Sequence, residues 1–376
     1  MRPEAVERML PFLAATYANP SGSHAPSRAA KTALEEARET VATHLRATTR
    51  EVVFTGGGSE GDNLALKGAA WAARERGDAD GIVTTGIEHK AVLGAAARLA
   101  HEGFRVAHVP ATADGIVDLD ALASALDSRT AVVSVMLVNN ETGVMQPLDA
   151  VAALVRERAP RAVLHTDAVQ APQWLDVGIA ARDADLVAIS GHKFGGPKGV
   201  GALVVRNGTT LVPLVEGGGH EWSLRAGTQN VAGIVGLATA LRLTHERRAE
   251  EVARIGALRD QLEAGLQAAL HNMAVNGDPA RRVAGVLHAA FPGTEAETLL
   301  VALDQGGIYA ASGSACSSGS IDPSHVLLAM GMPRDRALAS VRFSLGWAST
   351  SEDVARALDV IPRAVARLQP AGQFAS

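Results

Sequence analysis

The chain has 376 residues and a mass of 38.8 kDa, with 47% hydrophobic and 20% charged residues and a mean hydropathy of +0.10. This composition builds a sizeable core in one large or two unequal domains and excludes a disordered or fibrous chain. The formal charge is −5 with no basic block, which argues against direct nucleic-acid binding and adsorption to an anionic membrane.

No stretch reaches the roughly 18 to 20 apolar residues of a membrane span. The start, MRPEAVERMLPFL, carries acidic residues early and has no signal-peptide pattern, so a cytoplasmic location is expected. The single cysteine, Cys316, excludes an internal disulfide framework and any multi-thiolate metal site, and no metal is expected. Of the 35 basic residues only five are lysine (Lys31, Lys67, Lys90, Lys193 and Lys198) and the other 30 are arginine. A chain so biased keeps lysine where arginine does not serve, because an amine can lose its proton and form a Schiff base.

Taken in chain order, the hydrophobic pattern predicts a helix over 31–46 with Leu34, Ala37, Val41 and Leu45 on one face. A strand 52–54, a helical run 61–75, a strand 82–85, a helix 90–102, a strand 105–109 and a helix 119–126 follow. The series continues with strand 131–137, helix 148–158 and strands 162–166, 186–190 and 201–206. Strands separated by helices imply right-handed crossovers, hence an α/β fold with a mostly parallel sheet covered by helices. Past residue 245 the character changes. One long helix over 245–270, striped by Val252, Ile255, Leu258, Leu262 and Leu266, leads into short strands, a Gly/Ser loop and a helix near 351–368. The expected organisation is a large domain over 15–245 and a small C-terminal α+β domain over 246–376 that also takes 1–14.

Ligands of an open parallel sheet bind at the carboxyl ends of its strands. The residues there are Gly56-Gly57-Gly58-Ser59, Glu88-His89-Lys90, Asn139-Asn140-Glu141, Asp167-Ala168-Val169-Gln170 and Ser190-Gly191-His192-Lys193. Nearly every chemically capable residue of the large domain falls on this one rim. A Gly-rich turn into a helix offers free N–H groups and a positive helix end to a phosphate, although such a turn is commonly only a turn. Gly57-Gly58-Ser59-Glu60-Gly61 also fits G-x-S-x-G, so a serine hydrolase using Ser59 stands as an alternative, with no Asp and His distinguished to complete it. Lys193 on its own reads as a solvated strand end. Behind Ser190 and His192 and facing a phosphate cradle, its amine suits a Schiff base to pyridoxal phosphate, and Asp167, otherwise a helix cap, suits the pyridine nitrogen.

Cys316 lies in Ala311-Ser312-Gly313-Ser314-Ala315-Cys316-Ser317-Ser318-Gly319-Ser320. A lone cysteine is commonly a small buried hydrophobe, but among Gly and Ser it reads as a used, solvent-reaching thiol. Arg342, a charge inside the apolar strand 340–343, needs an anion. That anion is either a substrate carboxylate or a structural partner.

Together, NPSGSH (19–24), EVVFTGGGSEGDNLALKG (51–68), IEHKAVL (87–93), VNNETGVMQPL (138–148), HTDAVQ (165–170), SGHKFGGPKGVGAL (190–203), GGGHEWSLRAGTQN (217–230), SGSACSSG (312–319), PSHVLLAMG (323–331) and VRFSLG (341–346) resemble the cysteine desulfurases, in the class V branch of the fold-type-I pyridoxal-phosphate enzymes. The resemblance covers nearly the whole chain in order, and the SGSAC block is similar to the group with a long mobile cysteine loop. Selenocysteine lyases and other class V relatives share the lysine and aspartate motifs and fit the cysteine block less well.

The resemblance implies that Lys193 binds the cofactor covalently and then moves the substrate Cα proton. It further implies that Asp167 pairs with the pyridine nitrogen, Gln170 bonds the phenolic oxygen and His89 stacks on the ring. Gly58, Ser59, Ser190 and His192 hold the phosphate, with Thr228 reaching in from the partner of a homodimer. Asn140, beside the cofactor, and Arg342 bind the substrate carboxylate. L-cysteine becomes L-alanine while Cys316 takes the sulfur as a persulfide and passes it to an acceptor, such as an iron–sulfur scaffold or a relay protein for tRNA or cofactor thiolation.

There are two departures from the family pattern. Gly58-Ser59 stands where Ala-Thr is usual, and the retained hydroxyl implies a retained phosphate contact. Family members also carry a motif like Leu-Asp-Asn-Ala-Ala-Thr-Thr-Pro that ends where Met1-Arg2-Pro3 stands here. The expectation is either a misassigned start or loss of a segment lining the substrate pocket, the latter leaving an inactive sulfur-trafficking scaffold.

Overall fold

Short Val- and Ile-rich runs alternating with Ala-rich helices set the architecture, since such strands bury both faces and must be covered on both. The computed structural model describes residues 1–77, 79–313 and 322–369, which divide into two compact units. The first comprises Met1–Val109, Asp118–Val138 and Gln146–Arg248. It contains α1 (Pro3–Leu13), α2 (Ala25–His44), β1 (Val52–Thr55), α3 (Gly58–Glu75), β2 (Gly81–Thr85), α4 (Lys90–His101), β3 (Arg105–Val109), α5 (Leu119–Ala125), β4 (Thr130–Ser134), α6 (Leu148–Arg158), β5 (Val163–Asp167), α7 (Val177–Ala180), β6 (Leu186–Ser190), β7 (Gly201–Val205) and the part of α8 (Val231–Ala269) up to Arg248.

The seven strands run in the order β1-β7-β6-β5-β4-β2-β3. β3, β2, β4, β5 and β6 are parallel neighbours, whereas β7 is antiparallel to both β6 and β1. The exception follows from the chain path, because no crossover helix separates β6 from β7. Every residue of β1, β2, β4, β6 and β7 is buried. Leu64, Ala65 and Ala69 of α3 and Val92, Ala96 and Leu99 of α4 pack with Val53, Ile82, Val132 and Leu203 in one core cluster.

Several predicted boundaries move: α3 starts at Gly58 rather than 61, and residues 1–14, expected with the small domain, belong to the first unit. β4 stops at Ser134 rather than 137, although Val135 and Leu137 still donate their N–H groups to His165 and Asp167 carbonyls. α2 starts at Ala25 rather than 31, with His24 capping the Ser27 N–H and a proline in the first turn. α8 begins at Val231, not 245. Its opening turns bury Val231, Ile234, Val235, Leu237, Ala238 and Leu241, so no amphipathic stripe marks them.

Arg38 of α2 is only 2% exposed and bonds Glu221 through two nitrogens, both at 2.8 Å. Glu221 also accepts the Phe54 N–H, and Arg38 donates to the Val52 carbonyl, so the pair is fastened to β1. It holds Glu221, Trp222 and Ser223, three consecutive residues with φ between +46° and +64°, a conformation that costs L-residues energy.

The second unit comprises Pro110–Val117, Asn139–Met145 and the chain from Ala249 onward. After the rest of α8 it contains β8 (Ala274–Val275), β9 (Val286–Ala290), α9 (Ala296–Gln305), β10 (Ala311–Ser312), α10 (His325–Ala329), α11 (Arg334–Leu338), β11 (Ser340–Ser344) and α12 (Ser351–Leu368). Its sheet is antiparallel throughout, in the order β10-β11-β9-β8. Strand alternation sorts the faces: Leu287, Ala289, Val341 and Phe343 point one way, and His288, Ser340 and Arg342 the other. Leu299 and Leu303 of α9 and Ile361 of α12 complete the apolar layer, with Phe291 and Phe343 packed edge to face at 6.2 Å.

Replacing Arg38 by Met should cost about 3–5 kcal/mol, because Glu221 is then buried without its counter-charge. Urea unfolding measures this, and a loss below 1 kcal/mol would show that the pair is dispensable.

Candidate active site

The first unit brings two groups of predicted residues to the carboxyl ends of its strands. At the end of β1 the chain turns through Gly56 and Gly57 into α3, and Gly57 takes φ +150°, open to glycine. Thr55 Oγ donates to the Gly57 carbonyl at 2.9 Å, and the Gly56 N–H donates to Glu60 at 2.7 Å. Arg225 in turn holds Glu60 at 2.9 Å. A Cβ on Gly58 would lie 2.5 Å from Val169 Cγ2 and 3.5 Å from Ser190 Cβ, so the first turn of α3 packs directly on the ends of β5 and β6.

The first-turn N–H groups of α3, which have no intrahelical acceptors, and exposed Ser59 thus share one rim with Ser190 and His192. Ser190 Oγ and His192 Nδ1 are 3.0 Å apart. Burial, Lys193 and Lys198 hold the His192 imidazole below its usual pKa, so it stays neutral near pH 7. Exposed Lys193 follows it in a 3₁₀ turn over Gly191–Lys193. The arrangement suits an anion of several oxygens beside an amine.

The second group surrounds Asp167, the last residue of β5, whose Oδ1 accepts the Val169 N–H at 2.8 Å. Ligand atoms of Asp167, Asp62 and His89 all lie within 4.8 Å of one another. His89 caps α4 by accepting the Ala91 N–H on Nδ1 at 3.1 Å, which leaves the proton of its neutral ring on Nε2. Burial raises Asp167 to about 7 and Asp62 to about 8. His165 Nε2 approaches Asp62 Oδ1 at 3.5 Å, while Ser134 Oγ meets His165 Nδ1 at 2.8 Å. Burial lowers His165 to about 4, so this imidazole is neutral. Half-buried Gln170 lies in the turn closed by Ala171 N–H to the Ala168 carbonyl at 2.9 Å.

Sequence reasoning missed Asp62 and His165 as site residues, and it placed Glu88 on the rim without a role. Asp62 is four residues from Gly58, hence on the same face of α3, and that spacing was the available signal. Glu88 accepts from Thr85 Oγ and the Met136 N–H, both at 2.8 Å, and burial raises its pKa.

The remaining predicted residues fall elsewhere. Thr228 is exposed and lines a cavity of about 400 Å³ with Phe12, Tyr17 and Asn230. Asn140 and Arg342 belong to the second unit, where Arg342 Nη1 donates to the Asn140 carbonyl at 2.6 Å. Cys316 lies outside the described residues. Among the described residues no histidine is hydrogen-bonded to Ser59 Oγ.

The Aminotransferase class-V family profile matches residues 1–357. The chain belongs to that family, in its cysteine desulfurase branch. Among the cysteine desulfurases it is similar to, Cysteine desulfurase IscS of Clostridium botulinum is 43% identical over 366 residues, which is 97% of this chain and 91% of that protein. The IscS-like cysteine desulfurase of Mycobacterium tuberculosis is 44% identical over 384 residues, covering 100% of this chain and 96% of that protein. A solved NifS-like protein superposes with a TM-score of 0.91 at 34% identity, covering 98% of this chain and 97% of that one. Both the expected α/β fold and the expected family are thereby established.

Asp62 and Asp167 keep their protons in the folded chain to about pH 8 and 7, whereas the unfolded chain ionises them near 3.8. The folded state therefore binds more protons above pH 4, and stability falls as pH rises through 7–8. Asp62→Asn should flatten this fall by about 1.4 kcal/mol per pH unit, one proton's worth. Urea midpoints of the full chain between pH 5 and 7.5 measure it, and parallel profiles would show that Asp62 is already ionised when folded.

Proposed function

We propose that the chain is a pyridoxal-phosphate-dependent cysteine desulfurase that converts L-cysteine to L-alanine and takes the sulfur onto Cys316. The observation that carries this reading is the meeting of a helix N-terminus, Ser190 and His192 beside Lys193 on one rim of the unit that also buries Asp167 beside His89. The residues fit the cofactor by donor chemistry. The α3 N–H groups with Ser59, Ser190 and His192 suit a phosphate. Gly58, without a Cβ, lets backbone approach where any side chain would strike Val169. Asp167 offers a carboxylate to the ring nitrogen, Gln170 an amide to the phenolic oxygen, His89 a flat face to the ring and Lys193 the amine that links to it. Thr228 is assigned to the phosphate of a second subunit in a homodimer.

Pyridoxal phosphate bound there supplies an electron sink that acidifies the Cα–H of an amino acid. The chain's own groups do the rest. Arg342 and Asn140 hold the substrate carboxylate. Lys193 Nζ takes the Cα proton. The Cys316 thiolate attacks the substrate sulfur, an S–S bond forms as Cβ–S breaks, a proton closes Cβ, and the proton held on Lys193 Nζ returns to Cα to give alanine. The product on Cys316 is a persulfide, delivered to an acceptor protein for iron–sulfur or thio-cofactor and tRNA synthesis.

Lys193→Ala should lose the visible absorption of bound cofactor and all alanine formation. Cys316→Ser should keep the absorption and its change on adding L-cysteine, while alanine formation and the thiol-trapped persulfide vanish. Full sulfide release by Cys316→Ser would overturn the thiolate step. Bound cofactor without alanine in the unaltered chain would favour a scaffold over an enzyme.

A further inference from the structure

The polar face of the second unit's sheet carries a donor that the reaction above does not use. Across the antiparallel β9–β11 pair, Arg342 stands directly opposite His288, and such partners project to the same face. The segment Asn139–Met145 lies on that face: Arg342 donates to the Asn140 carbonyl, the Val283 N–H donates to the Gly143 carbonyl, and a Cβ on Gly143 would touch Val286 at 2.7 Å.

The tautomer of His288 follows from its neighbours. Arg336 has only donors, so the Asn276 oxygen it contacts at 2.8 Å is an acceptor, and the Asn276 amide nitrogen must donate. That nitrogen lies 3.0 Å from His288 Nδ1 and 3.0 Å from Ser340 Oγ. His288 Nδ1 therefore accepts, and the ring proton sits on Nε2. Burial, then the charge of Arg342, lowers the His288 pKa to about 3, so the ring is neutral at working pH. His288 is 0% exposed, and Nε2 has no hydrogen-bond partner among the described residues. The buried side-chain oxygen of Asn140 has none either. A buried N–H left unpaired is costly, and one beside an arginine on a polar face has the character of an anion donor waiting for its acceptor.

We propose that His288 is a further substrate-binding residue, its Nε2–H holding the amino-acid carboxylate together with Arg342. This rests on the reading that Arg342 takes that carboxylate. The two groups divide the task. Arg342 supplies charge, and neutral His288 supplies a directed hydrogen bond without repelling the guanidinium. A carboxylate with two oxygens satisfies both.

The test uses the full chain loaded with pyridoxal phosphate. The readouts are KM and kcat for L-cysteine, and the dissociation constant of L-alanine from the change in visible absorption, which needs no turnover. His288→Leu removes both ring nitrogens. His288→Asn keeps a polar group for Asn276 but cannot reach the Nε2 position, whereas His288→Gln restores an N–H there. A hydrogen bond to a charged group is worth roughly ten- to a hundredfold. The Leu and Asn substitutions should therefore raise KM and the alanine constant by about tenfold or more with kcat within about twofold, and His288→Gln should recover most of the loss. Recovery by His288→Asn instead of His288→Gln would assign His288 to packing with Asn276 and overturn the proposal. So would wild-type constants in all three, which would mean that Nε2 serves a buried water. Arg342→Ala separates the levels. Weak alanine binding in Arg342→Ala alone sinks only the His288 assignment, and unchanged binding in Arg342→Ala sinks the parent reading as well.

Discussion

The strands of the large sheet are buried on both faces, and everything chemical in the first unit follows from that. With no water along β1, β2, β4, β6 or β7, a polar side chain there must find a protein partner, so the groups free to meet a ligand are confined to the strand ends. At the carboxyl ends α3 begins with first-turn N–H groups that have no acceptor within the helix, and its Gly58 lies against Val169 and Ser190, where a Cβ would not fit. The same close contact leaves room for the anion site proposed above. The cost of burial reappears as shifted proton affinities: Asp62, Asp167 and Glu88 are pushed up and His165 down, all by desolvation.

The proposed reading assigns different parts of recognition to residues of each unit. The first holds the residues suited to a phosphate, a ring nitrogen and a covalent amine. The second presents Asn140, His288 and Arg342 on the polar face of a small antiparallel sheet whose opposite face is sealed by α9 and α12. Strand alternation alone makes that division, since Val341 and Phe343 must face the helices if Arg342 is to face away from them.

Much of this was legible in the chain itself. The period of the hydrophobic residues located the strands of the large sheet to within a few positions, and of the residues just beyond them those after β1, β2, β5 and β6 stay in the first unit while Asn139–Glu141 belong to the second. Gly58 lies against Ser190, and Ser190 Oγ is 3.0 Å from His192 Nδ1. The antiparallel placement of β7 was not legible, because it depends on which neighbour a strand chooses, not on its composition. Neither was the start of α8, whose first turns are apolar all round and carry no period. Asp62 escaped notice because it reads as an ordinary helix residue until β5 is packed against it. His288 looks like one polar residue in a strand, and its significance depends on Arg336 and Asn276, some 50 and 12 residues away in sequence. Buried polar partners separated along the chain are what a linear reading resolves least.

The fastening of Glu221 to β1 has a consequence beyond stability. β1 is the terminal strand of the sheet, so its outward N–H and C=O groups would otherwise offer a template to any extended segment. Here the Phe54 N–H is taken by Glu221, while the Val52 carbonyl accepts both from Arg38 and from the Trp222 indole at 3.2 Å. Side chains thus imitate the next strand and end the ladder. If the left-handed turn at Glu221–Ser223 opened, the Phe54 N–H and Val52 carbonyl would again be open to pairing with another extended segment.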